Sequence, residues 1–204
     1  MSKLTNIHYF MDKNNRRKVK KEASKLGYET KKLSRGVAHF EKDGEHIVSI
    51  KGTDPFNIKD MVSDASIFLG NVGKDKQFNK RRQEVKKIYK SIPDDEKVSL
   101  VAHSLGASIG THILSKSKSI RDRTHDANFY NTGYTKAFHK ELRQGLTPED
   151  RRQLNEKITH HQVISDVVSE PLKQGSIGGV IHYQAPKNST PLSRHSITVF
   201  DDLL

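Results

Sequence analysis

The chain has 204 residues, a formal net charge of +12 and a mean hydropathy of -0.75, with 33% hydrophobic residues and neither cysteine nor tryptophan. Residues 1–204 are enough for a single domain with a buried core, and the lack of cysteine excludes a disulfide framework, thiolate metal sites and a cysteine nucleophile. No apolar stretch reaches the roughly 20 residues that span a bilayer, and M-S-K-L-T-N-I-H-Y-F lacks the apolar run expected of a secretory signal. The expected chain is soluble, cytoplasmic or virus-carried, with any membrane contact interfacial.

Residues 1–35 hold eleven Lys or Arg against Asp12, Glu22 and Glu29. Within them, Asp12 to Leu26 favours a basic helix, with Val19, Ala23 and Leu26 as a thin apolar stripe and Gly27 as its stop. The plainest reading of these charges is a solvated helix face. An anionic phospholipid surface comes next, rewarding each Lys or Arg by about 1 kcal/mol. Nucleic acid comes last, because no aromatic stacking motif accompanies the lysines.

Residues 36–40 and 46–50 read as two strands around Lys42-Asp43-Gly44-Glu45, where Asp-Gly suits a tight hairpin. The second strand runs into Lys51-Gly52-Thr53. Phe78, Val85, Ile88, Tyr89 and Ile92 recur at helical spacing, and Pro93 ends that helix. A strand then leads to Ser104, and a helix follows to about Ser117. Ala127 to Tyr130 reads as a short buried strand, and Thr147-Pro148 starts a helix reaching Ile158. Three more strands are expected: His161 to Ser165 ending at Asp166, Gly179 to Tyr183, and Ile197 to Phe200. The fold class is α/β, a mainly parallel central sheet flanked by helices. The antiparallel hairpin precedes it and a hairpin of the last two strands closes it.

The segment K-V-S-L-V-A-H-S-L-G-A-S-I-G, residues 97–110, carries the chemistry. A strand that bends sharply into a helix needs small side chains two before and two after the turning residue, here Ala102 and Gly106 around Ser104. Such a bend pushes the Ser104 hydroxyl out over the sheet edge and aims the Leu105 amide at an oxyanion. A serine needs a base to take its proton and a carboxylate to fix that base's tautomer. Asp166 directly follows an apolar strand, with Glu170 its nearest rival; His195 lies in the polar loop before the final strand. His182, inside a strand, is expected to pack. His103 is expected to turn away from Ser104 and brace the elbow, while His112, His160 and His161 have no metal-ligand spacing. Thr53, closing the strand expected beside the Ser104 strand, is the candidate for a second oxyanion donor.

These motifs resemble the class 3 lipases, the fungal triacylglycerol lipase family of α/β-hydrolases. Ile50-Lys51-Gly52-Thr53 is similar to that family's Arg-Gly-Thr turn, Asp60-Met61-Val62-Ser63-Asp64 to its Asp-Trp-x-x-Asp segment, and Ala102-His103-Ser104-Leu105-Gly106 to its Gly-His-Ser-Leu-Gly elbow. Val163 to Val168 is similar to its aspartate strand, and His195 to its late histidine. Lys51, Met61 and Ala102 depart from the family's arginine, tryptophan and first glycine. The resemblance spans about Val37 to Phe200. It implies Ser104 as nucleophile, Asp166 as orienting acid, His195 as base and Thr53 with Leu105 as oxyanion hole, with residues 54–64 as a lid or a short packed helix.

The implied activity is hydrolysis of acyl esters of lipids through a Ser-His-Asp triad and an acyl-enzyme, needing neither metal nor cofactor. Its partner is a lipid ester at an interface, anionic by the basic charge. The alternative is an inactive hydrolase-fold module that binds anionic lipid or nucleic acid through residues 1–35.

Overall fold

The structure, a computed structural model, describes residues 16–52, 76–133, 136–166 and 177–201. Thr53, residues 54–64, Glu170 and the start of the basic segment lie outside them. Helix α1 (Arg16–Lys25) buries Val19 and Ala23 and leaves its Lys and Arg side chains in solvent, the division its stripe predicts. The chain leaves it through Gly27, with Tyr28 N donating to Ala23 O at 3.0 Å.

Strand β1 (Glu29–Leu33) is not among the expected elements. Its sequence, Glu-Thr-Lys-Lys-Leu, shows no apolar alternation because it is a sheet edge, with none of its residues buried. Ser34 turns it into β2 (Val37–Lys42), which pairs antiparallel with β3 (Glu45–Ile50). Asp43 (φ 51°) and Gly44 (φ 77°) both take positive φ in the connecting two-residue turn, the conformation Asp-Gly supplies most cheaply.

From β3 onward every pairing is parallel: β4 (Lys97–His103), β5 (Thr124–Tyr130), β6 (Ile158–Val163) and β7 (Gly179–Tyr183) come next in sheet order. The connections carry α2 (Lys76–Ser91), α3 (Leu105–Lys116), α4 (Lys118–Arg123), α5 (Lys136–Arg143) and α6 (Pro148–Lys157). Thr147 caps α6 as expected, accepting from Asp150 N while Asp150 accepts from Thr147 N.

One sheet face packs Val48, Ile50, Leu100, Ala102, Ala127 and Phe129 against α2 to α6. On the other, α1 covers Ala38, Phe40, Ile47 and Val101. Helix α7 (Pro191–His195) and a 3-10 helix, Ile197–Asp201, complete the described chain.

Three expectations fail at this end. Ile197 to Phe200 is a 3-10 helix, and among the described residues no hairpin closes the sheet: β7 pairs parallel with β6. The β-branched and aromatic run is instead used for packing, since Ile197, Val199 and Phe200 bury themselves against Tyr130 and Val163, with the Phe200 ring 5.0 Å from Tyr130 and 5.6 Å from Tyr183. His182 does not pack: β7 is the other edge of the sheet, and His182 and Ile181 are exposed.

Candidate active site

Because β3 to β6 run parallel, their C-terminal ends share one rim, with Ile50 beside Ala102, Ala102 beside Phe129 and Tyr130 beside His161. Ser104 sits on that rim between β4 and α3 at φ 53° and ψ -124°, a sparsely populated conformation for a residue with a Cβ. Neighbours hold it there. Ser104 N donates to Tyr130 O at 2.9 Å, and Ser104 O accepts from Ala107 N at 3.0 Å. The small residues at the bend are required sterically: a Cβ on Gly106 would lie 2.2 Å from Ile50 O. Gly52 brings the end of the β3 segment equally close, since its Cβ would lie 2.7 Å from His103 O and 3.1 Å from the Ser104 Cβ.

Asp166 lies beyond β6, after Ser165, itself at φ 66°, with Asp166 N donating to Val163 O at 3.1 Å. His195 ends α7, which begins at Pro191 behind the Thr190 cap, so the base lies on a short helix rather than in the expected loop. Thr190 Oγ1 accepts from Ser193 N at 3.2 Å, and this cap fixes the helix's first turn.

The three side chains meet. His195 Nδ1 lies 3.0 Å and 2.9 Å from the two Asp166 carboxylate oxygens, and His195 Nε2 lies 2.9 Å from Ser104 Oγ. A carboxylate only accepts, so Nδ1 carries the proton and donates; Nε2 is left as the acceptor of the Ser104 hydroxyl. All three are buried, with Ser104 2%, His195 3% and Asp166 1% exposed. The Leu105 N–H opens α3, where no preceding carbonyl of the helix is in reach.

Two further residues brace the imidazole. His103 Nε2 donates to His195 O at 2.7 Å, and burial holds the His103 pKa down to about 3, so its ring stays neutral near pH 7. His103 thus braces the base's backbone, rather than the elbow alone. Asn131 is a further functional residue, not among those expected from the sequence. Its Nδ2 donates to Arg194 O at 2.8 Å and its Oδ1 accepts from Val163 N at 3.1 Å, tying the end of β6 to the end of α7. The available signal was an Asn directly after an apolar strand, a residue that tolerates the φ of 43° it adopts. Of the other histidines, His160 bonds Thr132 Oγ1 and Ile177 O, and His161 bonds Tyr183 Oη and Asn128 Oδ1.

No protein-family model matches the chain, and no curated protein matches it in sequence. Among solved structures, one described as a fungal lipase superposes with a TM-score of 0.50 at 14% identity, over 97% of this chain and 80% of its own length. A triacylglycerol lipase from Penicillium expansum gives 0.45 at 17% identity over 77% of this chain and 66% of its own. A lipase from Rhizopus microsporus var. chinensis gives 0.45 at 16% over 81% and 67%. The chain thus spans about two thirds of the length of these last two. The fold is a lipase-type α/β fold, shared with the fungal lipase structure.

Proposed function

We propose that the chain is a serine carboxylester hydrolase acting on lipid esters, lipase- or phospholipase-like. Ser104 Oγ attacks the acyl carbonyl carbon while its proton passes to His195 Nε2, and the imidazolium so formed stays paired with Asp166. The oxyanion rests on the Leu105 amide and, from the segment after Gly52, on Thr53, each donor lowering the barrier by about 3–4 kcal/mol. The C–O bond to the leaving alcohol breaks as His195 returns the proton to that oxygen, leaving an acyl-enzyme. Water, deprotonated by His195, then attacks the acyl carbon, and the carboxylic acid departs as Ser104 regains its proton. No step calls for a metal or cofactor.

The observation that carries this reading is the single line of hydrogen bonds from Asp166 through both nitrogens of His195 to Ser104. The fold shared with a fungal lipase supports a lipid ester as substrate. The charge of +12, with Arg16, Arg17, Lys18, Lys20 and Lys21 exposed along α1, supports an anionic lipid surface over neutral fat. Among the described residues no helix is long and apolar enough to cross a membrane. The test is labelling by a fluorophosphonate, with hydrolysis of short-chain nitrophenyl esters and phosphatidylglycerol vesicles by the wild type and Ser104→Ala. Labelling and turnover lost in the variant support the reading. Equal rates would remove Ser104 from the mechanism, and an unlabelled wild type would leave the inactive binding module.

A further inference from the structure

The residue before Thr53 reaches Ser104 as part of a peptide that has left the sheet. Ile50 is the last residue of β3 paired with β4, opposite Ala102. Beyond it, Lys51 N still donates to Gly36 O at 2.9 Å. The Lys51 carbonyl accepts from Arg81 Nη1 of α2 at 2.6 Å. A guanidinium donor makes this a charge-assisted bond, roughly twice as strong as a neutral one. It fixes the plane of the Lys51–Gly52 peptide close to the elbow, where a Cβ on Gly52 would sit 2.7 Å from His103 O and 3.1 Å from the Ser104 Cβ.

Gly36 gives Arg81 its path. A Cβ at residue 36 would lie 2.8 Å from Arg81 Nε and 2.9 Å from its Cγ, so any larger residue there displaces the side chain. Gly36 is not among the positive-φ residues, so an alanine fits its backbone and acts through Arg81. Beside the guanidinium is a cavity of about 260 Å³ lined by Ser34, Arg35, Gly36, Lys80, Arg81 and Glu84, wide enough for a free guanidinium ion.

We propose that Arg81 is a positioning residue for the hydrolytic site: from outside it, through the Lys51 carbonyl, it holds the Gly52 segment against Ser104 so that the wall opposite the Leu105 amide is set before substrate arrives. This rests on the ester-hydrolase reading above. A group held within a few tenths of an ångström in the transition state affects turnover more than ground-state binding, and a displacement of 1 Å costs up to about 100-fold.

The experiment measures kcat and KM on a short-chain nitrophenyl ester for the wild type, Arg81→Ala, Arg81→Met, Gly36→Ala and Gly36→Ala with Arg81→Ala, with and without millimolar guanidinium. Arg81→Ala is expected to lower kcat about tenfold with KM within about twofold, and guanidinium is expected to restore most of the loss. Gly36→Ala is expected to reproduce the loss alone and to add nothing in the Arg81→Ala background. Arg81→Met keeps the stem over Gly36, and carries the test should Arg81→Ala not fold. A folded Arg81 variant with wild-type kcat overturns the proposal, as does a loss that guanidinium leaves untouched while Gly36→Ala adds to it independently. Ser104→Ala separates the two levels. Wild-type turnover in Ser104→Ala ends the hydrolase reading; its loss there beside wild-type turnover in Arg81→Ala ends only the role of Arg81.

Discussion

Two chains of carboxylate and imidazole occupy opposite ends of the parallel strands. At the C-terminal rim, Asp166 holds His195, and His195 faces Ser104. At the other end, Glu96 bonds His46 Nε2, and His46 Nδ1 lies 2.8 Å from His39 Nε2. The local chemistry is alike: in each, a carboxylate fixes one tautomer and leaves the far nitrogen able to accept. The group on the far side of the imidazole is where they differ. The first chain ends on a hydroxyl at a strained turn beside a helix N-terminus; the second ends on another imidazole, beside a groove of about 630 Å³ edged by Lys31, Lys32 and Lys87. An acid–histidine pair is therefore not a reaction centre by itself. It becomes one where the backbone offers a nucleophile and a donor for the developing oxyanion at the same point.

The most direct way to break the comparison is to remove the charge from the first chain while keeping its shape. Asp166→Asn can present its amide N–H to His195 and turn the imidazole to the wrong tautomer, so kcat on a nitrophenyl ester is expected to fall about 10⁴-fold with the fold intact by circular dichroism. A loss under tenfold would mean that Asp166 does not orient the base. The bracing of His195 gives a smaller effect. Asn131→Ala leaves Arg194 O and Val163 N without their partner, for an expected loss of about 2–4 kcal/mol in urea unfolding and a fall in kcat of tens-fold, roughly what a slight displacement of the base would produce. Asn131→Asp keeps an acceptor for Val163 N and loses the donor to Arg194 O. With a fully buried carboxylate then facing the Arg194 carbonyl, it is expected to lose at least as much stability as Asn131→Ala, and wild-type stability and turnover together would detach Asn131 from the base.

The elbow was legible in the sequence because its determinants are local: the small residues Ala102 and Gly106 sit within two positions of Ser104, and the need for them is a contact with Ile50 O that any side chain at residue 106 would violate. The parallel sheet was legible for a related reason, since strands buried on both faces must be apolar throughout, as Val98 to Ala102 nearly is. Edge strands escape that rule. Glu29 to Leu33 is a strand because β2 presents it an open edge, and His182 is exposed because no described strand pairs with the far edge. Ile197 to Phe200 misled for the opposite reason: its composition suits a strand, but its burial is set by Tyr130 and Val163, residues far away in sequence. Asn131 offers only its place directly after an apolar strand, since its role exists only once the ends of β6 and α7 are brought together.

Acid acts on the fold through its buried imidazoles, His39 of the second chain among them. Burial lowers the pKa of His39 to about 4, as it does for His112, His160 and His161, and that of His103 to about 3. For His39, neighbouring His46 and Lys31 add to the effect, with Glu41 opposing it. In the unfolded chain these imidazoles bind a proton near pH 6.5; in the fold they resist it until about 4 or below. Between those limits the unfolded state holds more protons, so stability falls as pH drops from about 6.5 towards 4, each group adding up to about 1.4 kcal/mol per pH unit. Urea midpoints are expected to be flat above pH 7 and to drop steeply between pH 6 and 4.5. A midpoint unchanged at pH 5 would mean these imidazoles are already charged in the fold.

The smallest expected effect is the most informative about the comparison, because it makes in the second chain the same chemical change that disables the first. Glu96→Gln replaces a carboxylate with an amide whose oxygen can still accept from His46 Nε2, and the Glu96 side chain is 33% exposed, so an amide that turns the wrong way can satisfy itself with water. Asp166, 1% exposed, has no such escape. Stability is therefore expected to change by no more than about 1 kcal/mol. Turnover should stay at the wild-type value, because His46 lies at the start of β3, and the Gly52 segment that touches Ser104 lies beyond its end. A fall in kcat approaching that of Asp166→Asn would show the two chains coupled through β3, and the groove beside His39 would then have to be counted as part of the catalytic apparatus.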